Sequence, residues 1–211
     1  MNAGRASVVL LHGLWMHGWV MTYLAARLRR AGFPAMAFDY HSLWNEIDRN
    51  AEALGLFLES LNAPRVHLVG HSLGGLVAMR YLALSRNPRV HRCVLLGAPV
   101  GGNRIGARLA DSQLGRLFLG ASAPLWSADM PDLAIDARYE VGVVIGTRRI
   151  GAGAVLFADR SAGDGVVRIE EAEYVPARDR IELNVSHSGM LISSRVAHQV
   201  AAFLERGAFD R

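Results

Sequence analysis

Ser72 lies in Gly70-His71-Ser72-Leu73-Gly74, a spacing that lets a serine hydroxyl sit at the tip of a sharp turn. The flanking glycines matter because neighbouring backbone must pack where any Cβ would clash. A serine hydroxyl is a poor nucleophile near neutral pH. Attack on a carbonyl therefore needs a base within hydrogen-bond reach and an acid that fixes the base's tautomer. When the serine sits between a strand and a helix, its partners follow in the order acid, then histidine.

Of the eight histidines, His91, His187 and His198 follow Ser72. His91 falls where its strand enters the sheet, and His198 lies off the apolar face of the last helix. His187, in Ser186-His187-Ser188-Gly189 just beyond the last strand, is the expected base. Asp164 is the expected acid, because the flanking glycines of Gly163-Asp164-Gly165 leave its carboxylate open to a ring. Asp159, beside Arg160, is the alternative. The oxyanion of acyl transfer needs prearranged N–H donors, and losing one typically costs about 3 kcal/mol. Leu73, at the start of the following helix, should supply one, and Leu14, after His12-Gly13, the other. His12 is expected to brace that loop. Trp15, Met16 and Trp19 come next and are expected to line the substrate pocket.

The elements that must position these residues alternate along the chain. Ser7 to Leu11, Ala35 to Phe38, Val66 to Val69 and Val90 to Leu96 read as short strands, buried on both faces where the apolar run is continuous. Between them, Tyr23 to Arg30, about Trp44 to Leu61, and the stretch from Ser72 to about Ser85 carry helical periodicity. Strands that alternate with helices form parallel sheets, with ligands at the strands' carboxyl ends. His12-Gly13, Ser72 and Gly97-Ala98-Pro99 all fall there. Val141 to Ile145 and Ile181 to Val185 complete the strands, and Leu191 to Arg206 the helices. The fold class expected is α/β: a mostly parallel central sheet with helices on both faces. Residues 1–211 should form a single domain, with an insertion at about 101–138. The apolar patch inside it, Leu109 to Trp126, fits either a lid over an acyl pocket or the insertion's own core.

His12-Gly13-Leu14, Gly70-His71-Ser72-Leu73-Gly74-Gly75, Leu95-Leu96-Gly97-Ala98-Pro99-Val100-Gly101-Gly102, Asp164-Gly165-Val166-Val167 and Ser186-His187-Ser188-Gly189 together resemble the α/β-hydrolase superfamily. The likeness is to its small bacterial lipase-like and esterase-like members, and it runs from about residue 7 to 206. It implies a triad of Ser72, Asp164 and His187, a cap reduced to residues 101 to 138, and hydrolysis of a carboxylic ester. A thioesterase or amidase would use the same parts, and an idle binding protein could keep the same scaffold.

Composition narrows the partners. All 23 basic residues are arginine and the net charge is +4. The arginines are scattered with no aromatic-interleaved basic patch, so nucleic acid is not an expected partner. A small-molecule or lipid ester is expected, and the basic charge leaves peripheral contact with a membrane open. The lone Cys93 and the short N-terminal apolar run point to a cytoplasmic protein without a transmembrane segment. His12, His17, Asp39 and His41 lack a recognised ligand spacing, so no metal is expected. No phosphate-loop or dinucleotide signature occurs, and no cofactor is expected.

Overall fold

The structure, a computed structural model, describes residues 5–126, 133–150, 161–173 and 176–211. Among the described residues, six strands form one sheet in the order β2-β1-β3-β4-β5-β6, every neighbouring pair parallel. They are β1 (Ser7–Leu11), β2 (Ala35–Phe38), β3 (Val66–His71), β4 (Val90–Leu96), β5 (Glu140–Gly146) and β6 (Asp179–Leu183). Side chains alternate between the faces of β1, so Val9 and Leu11 enter one core while Val8 and Leu10 enter the other. Burial on both faces is why the strand reads as a continuous apolar run.

Helices α1 (Thr22–Arg30) and α7 (Ser194–Arg206) cover one face through Leu24, Leu28, Val196, Val200 and Phe203. Helices α2 (Ile47–Ser60) and α3 (Leu73–Leu84) cover the other through Ala51, Leu54, Leu58, Leu76 and Val77. After β2 the chain returns to place β3 on the far side of β1, so strand order reverses between β1 and β3. A crevice opens at the carboxyl ends beside such a reversal. The loops leaving these two strands carry Gly13-Leu14 and Ser72.

Several boundaries differ from the sequence expectation. Helix α2 starts at Ile47 rather than about Trp44, because Trp44, 81% exposed, has no core to face. Strand β6 spans Asp179–Leu183 rather than Ile181 to Val185. Its extent follows the pairing with β5, from Asp179 opposite Gly142 to Leu183 opposite Gly146. Helix α7 begins at Ser194 rather than Leu191, since the Ser193 hydroxyl accepts the Val196 N–H at 3.2 Å as its cap. A 3-10 turn, Ser188–Ile192, precedes it.

Between β4 and β5 the alternation stops. Asn103 caps α4 (Arg104–Ala110) by accepting the Gly106 N–H at 2.7 Å, and Ser112 caps α5 (Gln113–Leu119) by accepting the Gly115 N–H at 3.0 Å. A 3-10 turn, Gly120–Trp126, follows; residues 127–132 of the insertion lie outside the described residues. The apolar patch divides: Leu119, Leu125 and Trp126 are buried, whereas Leu114, Leu117 and Phe118 are exposed.

Candidate active site

Ser72 occupies the turn between β3 and α3 with φ 53° and ψ −123°, a conformation that costs a non-glycine residue roughly 1–3 kcal/mol. Its surroundings hold it there. The Ser72 N–H donates to the Leu96 carbonyl at 3.0 Å, and the Gly75 N–H donates to the Ser72 carbonyl at 2.9 Å. A Cβ on Gly70 would lie 2.5 Å from the Gly74 carbonyl oxygen, and one on Gly74 would lie 2.4 Å from that of His12. Both flanking glycines are therefore required by backbone packing, as the spacing predicts.

The loop before α6 (Ile169–Ala172) carries Asp164, and the loop after β6 carries His187. His187 Nδ1–H donates to Asp164 Oδ2 at 2.7 Å, which leaves Nε2 unprotonated in the neutral ring. The other carboxylate oxygen, Oδ1, accepts the N–H groups of Val166 at 2.9 Å and Val167 at 2.8 Å. The Gly-Asp-Gly turn, which in the sequence suggests an exposed carboxylate, leaves Asp164 buried. Two backbone donors and the imidazole satisfy it there, as a buried charge requires. Asp159, the alternative acid, lies outside the described residues.

His71 is a site residue that the sequence reading did not assign. Its ring is fully buried beside the His187 ring, with centroids 4.6 Å apart, and its Nε2–H donates to the His187 backbone carbonyl at 3.0 Å. Burial pushes its imidazole down to about 3, so the ring is neutral. Its Nδ1 is buried with no hydrogen-bond partner among the described residues.

The loop after β1 is also braced. Burial outweighs the pull of the Asp39 carboxylate and lowers the His12 pKa. The neutral ring donates Nδ1–H to the Gly13 carbonyl at 2.9 Å and accepts the Tyr40 N–H at 3.3 Å. Next to Leu14, Trp15 has φ 62°, again a strained value for a non-glycine residue. Its indole N–H donates to the Phe118 carbonyl at 2.9 Å, and the two rings lie 5.4 Å apart, which ties the loop to α5. Leu73 is the first residue of α3, and the first N–H groups of a helix have no intrahelical partner.

Gly13, Leu14, Trp15, Met16, His71, Ser72 and His187 border one cavity of about 320 Å³. Ile105, Leu109, Phe118, Leu119, Trp126, Val166 and Val167 supply its apolar walls, and no described lining residue carries a cationic or carboxylate side chain. Trp19 is 74% exposed and outside this lining. A second missed residue anchors the wall. Glu171 is buried although the charged run around it suggests solvent; it accepts the N–H of Arg104 at 2.7 Å and of Arg168 at 2.9 Å, and Asn103 Nδ2–H at 3.1 Å. Asn103 also donates to the Val166 carbonyl at 3.1 Å, joining the start of α4 to the loop that holds Asp164. Among the described residues, no group of three or more His, Cys, Asp or Glu is placed to hold a metal ion, and no helix is long and apolar enough to cross a membrane.

A family model described as Alpha/beta hydrolase family matches residues 8–206. A 2-hydroxy-6-oxononadienedioate/2-hydroxy-6-oxononatrienedioate hydrolase of Paraburkholderia phymatum is 34% identical over 114 residues, covering 48% of this chain and 39% of its own length. Lipase LipV of Mycobacterium tuberculosis is 36% identical over 110 residues, covering 49% of this chain and 42% of that protein. The matched region thus spans less than half of either relative. Among solved structures, a metagenomic carboxyl esterase superposes on 98% of this chain and 77% of its own with a TM-score of 0.73 at 16% identity. An esterase of Pyrococcus furiosus superposes on 98% of this chain and 84% of its own with a TM-score of 0.68 at 19% identity. At these identities the likeness concerns the fold.

Proposed function

The chain belongs to the alpha/beta hydrolase family, and from that premise we propose that it is a serine hydrolase cleaving a carboxylic ester through an acyl-enzyme. The observation that carries this reading is the 2.7 Å bond from His187 to Asp164, with His187 and Ser72 both lining one cavity. Ser72 Oγ attacks the ester carbonyl and its proton passes to His187 Nε2, while Asp164 holds the ring in the required tautomer. The carbonyl oxygen becomes an oxyanion facing the N–H groups of Leu73 and Leu14. Collapse expels the alcohol, which takes the proton from His187. Water, deprotonated by the same nitrogen, then attacks the acyl-serine; the acyl–Oγ bond breaks, Ser72 Oγ takes the proton back from His187, and the acid is released. In this reading the chain is a single domain, and residues 101–138 form its reduced cap.

The cavity favours an uncharged aliphatic acyl group. The dioate named for the Paraburkholderia relative carries two carboxylates, and a buried carboxylate needs a cationic or hydrogen-bonding partner. The described lining offers no cationic side chain. Cleavage of p-nitrophenyl esters of increasing chain length, set beside matched thioesters, anilides and a dioate, tests the assignment. Turnover should be fastest on uncharged esters. Preference for the dioate, or for thioester over ester at equal acyl group, would replace it.

A further inference from the structure

Helix α5 turns its apolar residues two ways. Gly115 and Leu119 pack inward, while Leu114 is 80% exposed, Leu117 76% exposed, and Phe118 stands half exposed. The outward set continues beyond the helix. Half-exposed Trp15 lies against Phe118, and the two residues form part of the rim of the Ser72 cavity. Trp15 also borders a second cavity of about 190 Å³, whose lining includes Met16, Leu43 and Trp44. The Leu43 carbonyl accepts the Ala121 N–H at 2.8 Å, which fixes this loop beside the end of α5. Large apolar side chains therefore extend from α5 to Trp15 and reappear at Trp44, across a cavity that His17, Tyr40, His41 and Ser42 also line. A contiguous exposed apolar patch on a soluble fold marks an interaction surface.

We propose that Leu114, Leu117 and Phe118, with Trp15 and Trp44, form a docking surface for an anionic lipid bilayer, placed so that the Ser72 cavity opens toward the membrane. Charge selects this occupant. Helices α4 and α5 and the residue between them that is charged carry exposed Arg104, Arg108 and Arg116 against a single exposed acid, Asp111. Arginines beside tryptophan and leucine suit the interface of an anionic leaflet, where the guanidinium stays in the headgroups and the apolar side chains enter the acyl boundary. A second copy of the chain would instead bring like-charged arginines face to face across a two-fold axis. The cavity walls are apolar as well, so an apolar ester could pass from bilayer to pocket without crossing water.

The surface does not depend on Ser72 chemistry, so binding and turnover can be read separately. Sedimentation with vesicles of equal parts phosphatidylglycerol and phosphatidylcholine, and with phosphatidylcholine alone, measures docking. The wild type should bind the mixed vesicles at least roughly tenfold more tightly than the neutral ones. Leu114→Glu with Leu117→Glu should lose roughly tenfold or more of that affinity, and Arg104→Gln with Arg108→Gln should lose most of the preference for phosphatidylglycerol. None of these four residues enters the hydrolytic mechanism, so hydrolysis of a water-soluble short-chain ester should stay within about twofold of wild type. Absence of wild-type binding to either vesicle, or equal binding by the double glutamate variant, would overturn the proposal. So would a wild-type dimer in size-exclusion chromatography that the glutamates dissociate. Vesicle binding without any ester turnover would leave the docking surface standing and remove the ester-hydrolase reading instead.

Discussion

His71 Nε2–H donates to the backbone carbonyl of His187 at 3.0 Å, so the residue before Ser72 holds the main chain of the proposed base. The bond joins the β3–α3 turn to a loop 116 positions away in sequence. His71→Leu removes the donor and leaves that carbonyl unpaired, whereas His71→Gln keeps an N–H at comparable reach. The leucine variant should lose roughly tenfold or more in kcat with KM within about twofold, and the glutamine variant should recover most of the loss. Equal loss in both variants, or a change confined to KM, would mean that His71 only fills space.

Asp164→Asn keeps the oxygen that receives the Val166 and Val167 N–H groups but offers no charge to His187. The ring is then free to take the wrong tautomer. Kcat should fall by about 10³–10⁴-fold while the far-UV circular dichroism spectrum is unchanged. Activity near that of wild type would return Asp159 to consideration.

Trp126 is buried in the cavity wall, where its indole N–H donates to the Ser122 hydroxyl at 3.1 Å. A Cβ on Gly106 would lie 2.8 Å from its ring, so the wall has no slack at that contact. Trp126→Ala should enlarge the pocket and raise the octanoate-to-acetate ratio of kcat/KM by roughly tenfold, at a stability cost of about 3–5 kcal/mol. An unchanged ratio would place the acyl chain elsewhere.

Burial holds the imidazoles of both His67 and His71 down at about 3, far below the ordinary histidine value of 6.5. Above that ordinary value both states are neutral and no stability is at stake. As the pH falls below it, the unfolded chain takes up protons that the folded chain refuses, until the folded groups titrate near 3. Urea-unfolding stability should therefore drop between pH 6 and 4.5, each histidine adding up to about 1.4 kcal/mol per pH unit. A flat profile over that interval would contradict the burial argument.

Much of the fold was legible because its signals are local. The apolar run of β1, the alternation of strands and helices, and the glycines around Ser72 each depend on neighbouring residues, and the structure carries them at the expected places. His187 and Asp164, both expected from small-residue loops at the carboxyl side of the sheet, lie within hydrogen-bond distance of one another. What escaped depends on distant partners. Strand β6 is an edge strand whose limits follow β5 rather than its own alternation. Glu171 sits in a charged run like a surface residue, yet three donors arriving from Asn103, Arg104 and Arg168 make its burial tolerable. His71 was visible in the motif, but its partner is a backbone carbonyl, which no side-chain pattern reports.

The central claim is that Ser72 is an activated nucleophile, and labelling with a fluorophosphonate probe tests it most directly. The wild type should be labelled on Ser72, with slower labelling in His187→Ala and none in Ser72→Ala. Folded wild-type protein that resists the probe, or Ser72→Ala that labels as well as wild type, would contradict the account.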